Sequence, residues 1–353
     1  MDTRYFSDKV VKWYELNKRD LPWRETKDPY KIWLSEIILQ QTRVGQGLPY
    51  YLKFVEKFPT VVSLAAASEQ DVLRLWQGLG YYTRARNLYK CAQEVVNNHG
   101  GVFPKGFESL KKLRGIGDYT AAAIASISFK ERVAVVDGNV FRVLSRVFGI
   151  DKEINSPDGK KIFGKVAGKL ISKSRPDLYN QAIMEFGALH CTPKNPSCDH
   201  CIFSSNCFAA RNNLQYALPV KAKLKAPRKR YFYYLVIQKG KSILMKKREE
   251  KDIWHGLYDF FLIEKSKPTK IQDLIVQLNT IHQMGIRYDA IKVSRLYKHA
   301  LTHQLILSKF ILVPRHGLSN LSKDGSKFYS PRKIAEIPKP VLISRFLTDS
   351  HLL

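Results

Sequence analysis

Two acidic residues lie in surroundings that suit acid–base chemistry. Glu36 lies within KIWLSEIILQQT, residues 31–42, where apolar side chains would surround it on nearly every side of a helix. Burial favours the neutral form of a carboxyl group and raises its pKa, which suits an acid that must hold a proton near neutral pH. The alternative is a structural glutamate that caps or pairs locally.

The second acidic residue is Asp137, which follows the apolar run 133–136 and precedes Gly138. Its carboxylate is placed to cap a helix that begins near Asn139, and a capped carboxylate stays ionised. A neutral Glu36 and an ionised Asp137 would supply the acid and the anion that cleave glycosidic bonds through an oxocarbenium-like transition state. Helix capping without catalysis is the structural alternative.

Four cysteines follow one another within 17 residues, with the spacing C-x6-C-x2-C-x5-C. Tetrahedral zinc and a [4Fe–4S] cluster both accept four thiolate ligands. The long first spacing is unlike the short knuckles of zinc modules and favours the cluster. These candidate metal ligands are Cys191, Cys198, Cys201 and Cys207; the remaining Cys91 is interpreted as a core thiol.

The segment LRGIGDYTA, residues 113–121, joins two predicted helices. Gly115 and Gly117 allow a tight turn whose backbone N–H groups face a phosphate at the start of the next helix. A pair of glycines alone is weak support, and three basic residues nearby strengthen it: Lys111, Lys112 and Arg114.

The chain is strongly basic, with 59 Lys and Arg against 31 Asp and Glu and a formal net charge of +28. This excess predicts a polyanionic partner, and nucleic acid is favoured over an anionic membrane because basic residues alternate with aromatic ones without a long basic amphipathic helix. The N-terminus lacks the apolar core of a signal peptide, and no run approaches the ~18 apolar residues of a membrane span. We expect a cytoplasmic protein, nucleoid-associated in a bacterium.

The hydrophobic pattern divides the chain into two domains. Residues 1–215 repeat apolar side chains every three to four positions and predict an all-α domain. Residues 216–229 are short of acids and predict a basic linker. Residues 230–353 predict an α+β domain, with helices at 271–278 and 341–347 and strand-like segments YFYYLVIQ, SILMKKR, GLYDFFLIE and LILSKFILV.

Several segments of this sequence resemble the helix-hairpin-helix DNA glycosylases of the endonuclease III superfamily, specifically the adenine DNA glycosylases of the MutY type. The resemblance covers nearly the whole chain, and its C-terminal part looks like the Nudix-like module of that family. The matching segments, besides the four cysteines, are LPWRETKDPYKIWLSEIILQQTRV, WQGLGYYTRARNL, LRGIGDYTAAAIASI, VVDGNVFRVLSR and YNQAIMEFGALHCT.

The resemblance implies a helix-hairpin-helix glycosylase domain with a [4Fe–4S] loop at 191–207, followed by a Nudix-like domain that recognises 8-oxoguanine. It implies a base-excision repair enzyme, acting as a monomer, that hydrolyses the N-glycosidic bond of adenine mispaired with 8-oxoguanine or guanine in double-stranded DNA. Because the bond is shielded within the base stack, the adenine must be flipped out.

The same resemblance implies roles for individual residues. Glu36 would protonate adenine N7, and Asp137 would stabilise the sugar cation or bond to it transiently. Tyr119 and Asn139 would support that site by hydrogen bonds. Wedging and pocket roles fall on Arg24, Gln41, Tyr81 and Gln181; the alternative for these four is that they are ordinary surface or helix-end polar groups.

Position 119 separates two subclasses in the resemblance. Bifunctional relatives of the endonuclease III type carry a lysine there, whose amine attacks the sugar to form a Schiff base. Tyr119 cannot form that imine. The sequence therefore predicts a monofunctional glycosylase without efficient strand cleavage.

The C-terminal part resembles a Nudix domain in WHGLYDFF, but no acidic Nudix box that could hold Mg²⁺ follows Gly256 in the sequence, so hydrolysis of nucleoside diphosphates is not expected. The segment KHALTHQ, residues 298–304, matches the family loop that reads 8-oxoguanine, with Leu301, Thr302 and His303 in place of the usual Phe-Ser-His. Threonine keeps a hydroxyl for the lesion, whereas leucine wedges without stacking, so the strength of the lesion preference stays open. A buried hairpin histidine is the structural alternative.

Two other functions remain open. One is a related glycosylase for another mismatch, such as T:G, and the complete C-terminal domain argues against it. The other is a non-catalytic protein that scans DNA, and the two carboxylates argue against it because a pure binder gains nothing from anions beside phosphate.

Overall fold

A computed structural model describes residues 2–222, 226–314 and 325–353. Contacts between Cα atoms divide the chain into two units, one of Met1–Ala67 with Arg86–Lys223 and one of Ser68–Ala85 with Leu224–Leu353. The predicted domain boundaries at 215 and 230 stay a prediction, and residues 223–225 of the predicted linker lie outside the described residues.

The described part of the chain before residue 215 contains helices and no strand, which confirms the all-α prediction. No helix in the described ranges is long and apolar enough to cross a membrane. A 3-10 helix spans Pro22–Arg24, and the α-helices are α1 Thr3–Asn17, α2 Pro29–Leu39, α3 Val44–Lys57, α4 Val61–Ala65, α5 Glu69–Leu75, α6 Thr83–His99, α7 Phe107–Leu110, α8 Asp118–Phe129, α9 Gly138–Phe148, α10 Pro157–Leu170, α11 Pro176–Leu189 and α12 Phe208–Arg211.

Helix α2 begins with a strong local signal. The Asp28 carboxylate accepts a hydrogen bond from the N–H of Tyr30, and Pro29 fills the first turn, where no intrahelical N–H bond is needed. The helix ends at Leu39, and Gln41 adopts a left-handed conformation with φ 54°. This turn carries the chain out of α2 and into α3.

Helix α8 brings the residues of the site together. Its alanines at 121, 122, 123 and 125 are buried, and such small side chains let α2 and α11 approach closely. Helix α11 also packs against α9. At the start of α8, Tyr119 bonds Glu36 of α2, and at the start of α9, Asn139 lies against Gly187 near the end of α11.

The connection between α7 and α8 is the predicted glycine turn. Gly115 has φ 76°, and a Cβ atom there would lie 2.8 Å from the Cβ of Asn87 on α6. The N–H of Arg114 donates to the Glu94 carboxylate, also on α6, at 3.0 Å. The turn is therefore fixed against α6, and Gly117 is the N-cap residue of α8.

The second unit is built on a mixed sheet. Its two central strands, which contain residues 228–238 and 304–314, run parallel, with Arg228 opposite Gln304 and Gln238 opposite Pro314. The other strand pairs are antiparallel. Its described helices after 224 are α13 Ile271–His282, α14 Pro331–Glu336 and α15 Val341–Asp349, and its strands are β1 Arg228–Lys239, β2 Ser242–Lys247, β3 Tyr258–Asp259, β4 Phe261–Lys265, β5 Lys292–Val293, β6 Tyr297–Ala300, β7 Gln304–Pro314 and β8 Lys327–Tyr329.

This arrangement confirms the α+β prediction for the C-terminal part. Apolar side chains of β1 and β7, among them Leu235 and Ile311, form one buried cluster with Leu274 and Leu278 of α13. The β6–β7 hairpin turns at residues 301–303, where the N–H of Leu301 donates to the carbonyl of Gln304 at 2.8 Å.

Candidate active site

A cavity of about 190 Å³ opens in the first unit between α2, α8, α9 and α11. Six of the residues that the sequence predicts to be catalytic or base-binding line this cavity. These six residues are Arg24, Glu36, Tyr119, Asp137, Asn139 and Gln181.

Glu36 lies in the wall of this cavity and is 9% exposed. The Tyr119 hydroxyl donates a hydrogen bond of 2.6 Å to its Oε2. Burial raises the pKa of Glu36 most strongly, the bond from Tyr119 lowers it and the charge of Asp137 raises it, so that the pKa is about 7. A carboxyl group with this pKa is neutral in part of its population at neutral pH and can donate a proton there.

Asp137 caps α9, as the sequence predicted. Its Oδ1 accepts hydrogen bonds from the backbone N–H groups of Asn139 and Val140 at 2.9 and 2.8 Å, and its Oδ2 accepts one from the Asn139 side chain at 2.9 Å. The pKa of Asp137 is raised overall, because burial outweighs the three hydrogen bonds and the nearby charge of Arg142, each of which lowers it. The carboxylate is thus held in one orientation by donors that favour its anionic form.

The Asn139 side chain is held in place by Arg142. The Arg142 guanidinium donates to Asn139 Oδ1 at 2.8 Å, to the carbonyl of Gly187 at 2.7 Å and to the carbonyl of Cys191 at 2.7 Å. This fixes the amide so that its nitrogen faces Asp137. Sequence reasoning did not identify Arg142.

A third buried carboxylate, Glu185, lines the same cavity and was also missed. Arg19 and Arg24 both bind it, at 2.6 and 2.5 Å. Burial raises the pKa of Glu185, but the hydrogen bonds from the two guanidinium groups outweigh burial and hold the pKa at about 2. Glu185 is therefore an anion, and its position inside the apolar run YNQAIMEFGALH is the same signal that marked Glu36.

Two further contacts involve residues that line this cavity. The Tyr119 hydroxyl lies 3.2 Å from the Met184 sulfur, and the Tyr14 hydroxyl donates to Gln181 Oε1 at 3.2 Å. Burial raises the pKa of Tyr119 well above its usual value, so this hydroxyl stays protonated. Protein neighbours thus orient these polar groups of the cavity.

A second cavity of about 500 Å³ shares Glu36, Tyr119 and Asp137 with the first. It is also lined by Gln41, at the left-handed turn after α2, and by Gly117, at the start of α8. Gly115 lies on the other side of the turn, against Asn87, and lines neither cavity. Glu36, Tyr119 and Asp137 therefore share this second cavity with Gly117 of the glycine turn.

The four clustered cysteines line one cavity of the first unit, with apolar walls that include Val147 and Phe186. Nη1 of Arg146 donates to the Cys191 sulfur at 3.4 Å, and the N–H of Phe203 donates to the Cys201 sulfur at 3.4 Å. In the described ranges, no three His, Cys, Asp or Glu side chains are gathered as the ligands of one metal ion are. Cys91 is fully buried in α6, as expected of a core thiol.

The chemistry of this cavity fits a metal–sulfur group. Burial and, to a smaller extent, the negative charge of the other cysteines as thiolates raise the pKa of Cys201 to about 12. A cationic centre would compensate that repulsion. Two polar atoms that line the cavity, Nε2 of His190 and Oε1 of Gln215, are buried without a hydrogen-bond partner.

The remaining predicted DNA contacts lie in the second unit. Thr302 and His303 are exposed at the tip of the β6–β7 hairpin, and Leu301 is half-buried. Tyr81 is 45% exposed, has φ 49°, and its hydroxyl shares a hydrogen bond with the Thr302 hydroxyl. His303 is thus not the buried hairpin histidine of the structural alternative.

Two family models match the chain. Residues 34–167 match the HhH-GPD superfamily base excision DNA repair protein, and residues 232–349 match the NUDIX domain. The first match contains Glu36, Tyr119 and Asp137, and the second contains the β6–β7 hairpin. The multidomain architecture predicted from the sequence is confirmed.

Known proteins resemble the chain over most of its length. Adenine DNA glycosylase of Buchnera aphidicola (strain Bp) is 33% identical over 97% of this chain and 96% of its own length. Adenine DNA glycosylase of Rattus norvegicus is 43% identical over 59% of this chain and 42% of its own length. A solved structure of a thermostable thymine-DNA glycosylase is 30% identical, with a TM-score of 0.55, and the match covers 59% of this chain and 96% of that one. The chain therefore belongs to the adenine DNA glycosylases, base-excision repair enzymes that hydrolyse N-glycosyl bonds.

Proposed function

We propose that this enzyme removes adenine mispaired with 8-oxoguanine or guanine from double-stranded DNA, by hydrolysis and without cutting the strand. The observation that carries the proposal is the pair Glu36 and Asp137 in one cavity, the first with a pKa of about 7 and the second held by three donors. This pair provides a proton donor and an anion for one bond cleavage.

In the proposed mechanism Glu36 donates its proton to N7 of a flipped adenine. Protonation makes the base a better leaving group, so the bond between its nitrogen and the sugar carbon breaks with the electron pair leaving on adenine. The Tyr119 hydroxyl, bound to Oε2, orients the carboxyl group. The base would be held in the cavity by Arg24 and Gln181, which Glu185 and Tyr14 orient.

Asp137 then stabilises the positive charge that develops on the sugar, either electrostatically or through a transient covalent bond. Its carboxylate is oriented by Asn139, and Asn139 in turn by Arg142. A water molecule then attacks the sugar carbon, displacing the Asp137 carboxylate if a covalent bond has formed, and passes a proton to the Glu36 carboxylate. This gives an abasic site and restores the acid form of Glu36. The preorganised donors around Asp137 reduce the reorganisation that this step requires.

The enzyme is proposed to be monofunctional. Tyr119 stands where an imine-forming amine would be needed, and a phenol cannot form a Schiff base with the sugar aldehyde. Borohydride treatment during turnover should therefore trap little covalent adduct. A high yield of reduced adduct would contradict this proposal.

DNA binding is proposed to use the glycine turn and the β6–β7 hairpin. Gly115 allows the tight turn, and Gly117, the N-cap residue, leads into the first N–H groups of α8, a geometry suited to a phosphate. The exposed Thr302 and His303 would bond the edge of 8-oxoguanine, while Leu301, Tyr81 and Gln41 would wedge the opened duplex. The net charge of +28 supplies the non-specific attraction.

The cofactor is proposed to be a [4Fe–4S] cluster bound by Cys191, Cys198, Cys201 and Cys207. The four thiols line one cavity, and their spacing C-x6-C-x2-C-x5-C favours a [4Fe–4S] cluster over one zinc ion. When bound, the cluster would supply a redox-active, cationic centre that organises loop 191–207. The catalytic proton and the anion come from α2 and α9.

A single-turnover assay tests the substrate. Duplexes carry A opposite 8-oxoguanine, A opposite G, A opposite T or T opposite G, each read with and without alkali. The proposal predicts alkali-dependent cleavage of the first two A strands, and its loss in Glu36→Gln. Cleavage only of T opposite G would favour the activity named for the thymine-DNA glycosylase, and binding without any base release would favour a scanning protein.

We also propose that the enzyme acts as a monomer in the cytoplasm, at the nucleoid if the cell is bacterial. Sedimentation with and without a mispaired duplex should give one chain per DNA. Two chains per duplex would contradict the monomer.

A further inference from the structure

Two side chains that line the four-cysteine cavity each carry a buried polar atom without a hydrogen-bond partner. They are His190, through Nε2, and Gln215, through Oε1. Leaving a buried polar atom without a hydrogen-bond partner is unfavourable. Two such atoms in the lining of one cavity indicate that both pair with a group bound there.

The orientation of the His190 ring is set by packing. The ring stacks on Phe186, with centroids 5.1 Å apart and an interplanar angle of 21°, and meets the edge of Trp13 at 5.9 Å. The backbone N–H of His190 is bonded to the carbonyl of Phe186. These two aromatic side chains hold the ring and so set the direction of Nε2.

The chemistry of the two atoms matches sulfur as a partner. A neutral imidazole with its hydrogen on Nε2 is a donor, and thiolate or sulfide sulfur is an acceptor. A half-turn of the Gln215 amide exchanges its oxygen for an NH₂ donor at the same place. Arg146, which also lines this cavity, already donates a hydrogen bond to the Cys191 sulfur. His190 and Gln215 would add two further donors to sulfur.

We infer that His190, together with Gln215, donates hydrogen bonds to sulfur atoms of the cluster and raises its reduction potential. The inference rests on the proposed [4Fe–4S] cofactor. Donors to sulfur stabilise the more negatively charged, reduced form of a cluster, and hydrogen bonding is one of the factors that set its potential. His190 is a positioning residue in this assignment, since it contacts the cluster and not the DNA.

The test compares the purified, cluster-loaded enzyme with His190→Phe, which keeps an aromatic ring for Phe186 and removes the donor. His200→Phe is the matched control, because His200 is exposed in the same loop. The midpoint potential of the cluster is measured by voltammetry, and iron and sulfide are counted in each sample. The reduction equilibrium of His190→Phe should become less favourable by up to about tenfold, which is ~59 mV for one electron, while the control stays at the wild-type value.

A rescue variant keeps the inference testable if His190→Phe fails to load. His190→Gln retains an N–H donor and should show the wild-type potential, and Gln215→Leu should shift the potential in the same direction as His190→Phe. An unchanged potential in His190→Phe, or an equal shift in His190→Gln, would overturn the inference. Zinc instead of iron and sulfide in the wild type would remove the cofactor proposal itself, which is a different outcome.

Discussion

Two glutamates in one cavity have opposite pKa shifts, because their neighbours differ. Burial raises the pKa of both Glu36 and Glu185. Glu36 has one hydroxyl as its hydrogen-bond partner and a pKa of about 7, whereas Glu185 has two guanidinium groups and a pKa of about 2. One group can therefore hold a proton at neutral pH, and the other stays an anion that orients Arg24.

The raised pKa of Glu36 predicts a cost in stability. Between its usual pKa and about 7 the folded state binds more protons than the unfolded state, so the free energy of unfolding falls as pH rises through this range and levels off above it. Glu36→Gln removes the cost. The free energy of unfolding of Glu36→Gln minus that of the wild type should therefore increase by about 2–3 kcal/mol from pH 5 to pH 8. Urea unfolding at both pH values measures this difference.

The exposed Glu56→Gln is the control for this measurement, because it removes a surface carboxyl group and leaves the cavity unchanged. A Glu36→Gln difference that does not change with pH would mean that Glu36 is ionised at no cost in the folded state. The expected result is therefore a variant that is inactive and yet more stable at alkaline pH.

Removing the Tyr119 hydroxyl should move the pH profile of excision. The hydrogen bond from Tyr119 lowers the pKa of Glu36, so Tyr119→Phe raises that pKa, and the alkaline fall in single-turnover rate should shift to higher pH. Tyr14→Phe is the matched control, because its hydroxyl bonds Gln181 and not Glu36. A shift to lower pH in Tyr119→Phe would show that the hydroxyl does not stabilise the ionised carboxyl group.

Among the elements, the starts of helices could be read from the sequence and their ends could not. Asp28 with Pro29 marks the start of α2 through a bond within four residues, and Asp137 marks the start of α9 in the same way. The end of α2 depends on the left-handed turn at Gln41, which packing against α3 decides. Local signals thus located Glu36 and Asp137 but gave no sign of Arg142, whose role exists only because α9 and α11 pack together.

The glycine turn between α7 and α8 provides a test at the level of one element. Gly115→Ala places a Cβ atom 2.8 Å from Asn87 at a positive φ, which costs at least about 1–2 kcal/mol and displaces the turn. Lower stability in urea and weaker binding to duplex DNA are expected together. Gly117→Ala is the control for stability, because its Cβ would meet no atom within 4 Å and its φ is not positive. Equal stability of the two variants would show that the turn tolerates a side chain at 115.

At the scale of the whole molecule, two properties differ in how far the sequence predicts them. The charge of +28 is a sum and is known from the sequence alone. The grouping of residues 68–85 with 224–353 depends on contacts between residues more than a hundred positions apart, such as Gln77 with Ser344 at 3.2 Å. No periodic pattern encodes such a contact, although Tyr81 itself was identified from its motif.

The net charge predicts a steep dependence of DNA affinity on salt. If 6–10 phosphates are neutralised, affinity for an undamaged duplex should fall by about 10³–10⁵ between 50 and 200 mM salt. A titration followed by fluorescence anisotropy gives the slope of log affinity against log salt. A slope near zero would show that the positive charge does not face the DNA.

Residues 68–85 also affect how the protein can be dissected. The chain leaves the first unit at Ala67, contributes to the second and returns at Arg86, so no single cut separates the two units. In a fragment that ends before 224, Gln77 loses both Ser344 and the backbone N–H of Lys339, and Leu73 loses its neighbour Gly256. A gene truncated at the linker therefore encodes the first unit together with residues 68–85, which belong to the second. The properties of that product are not those of an isolated domain.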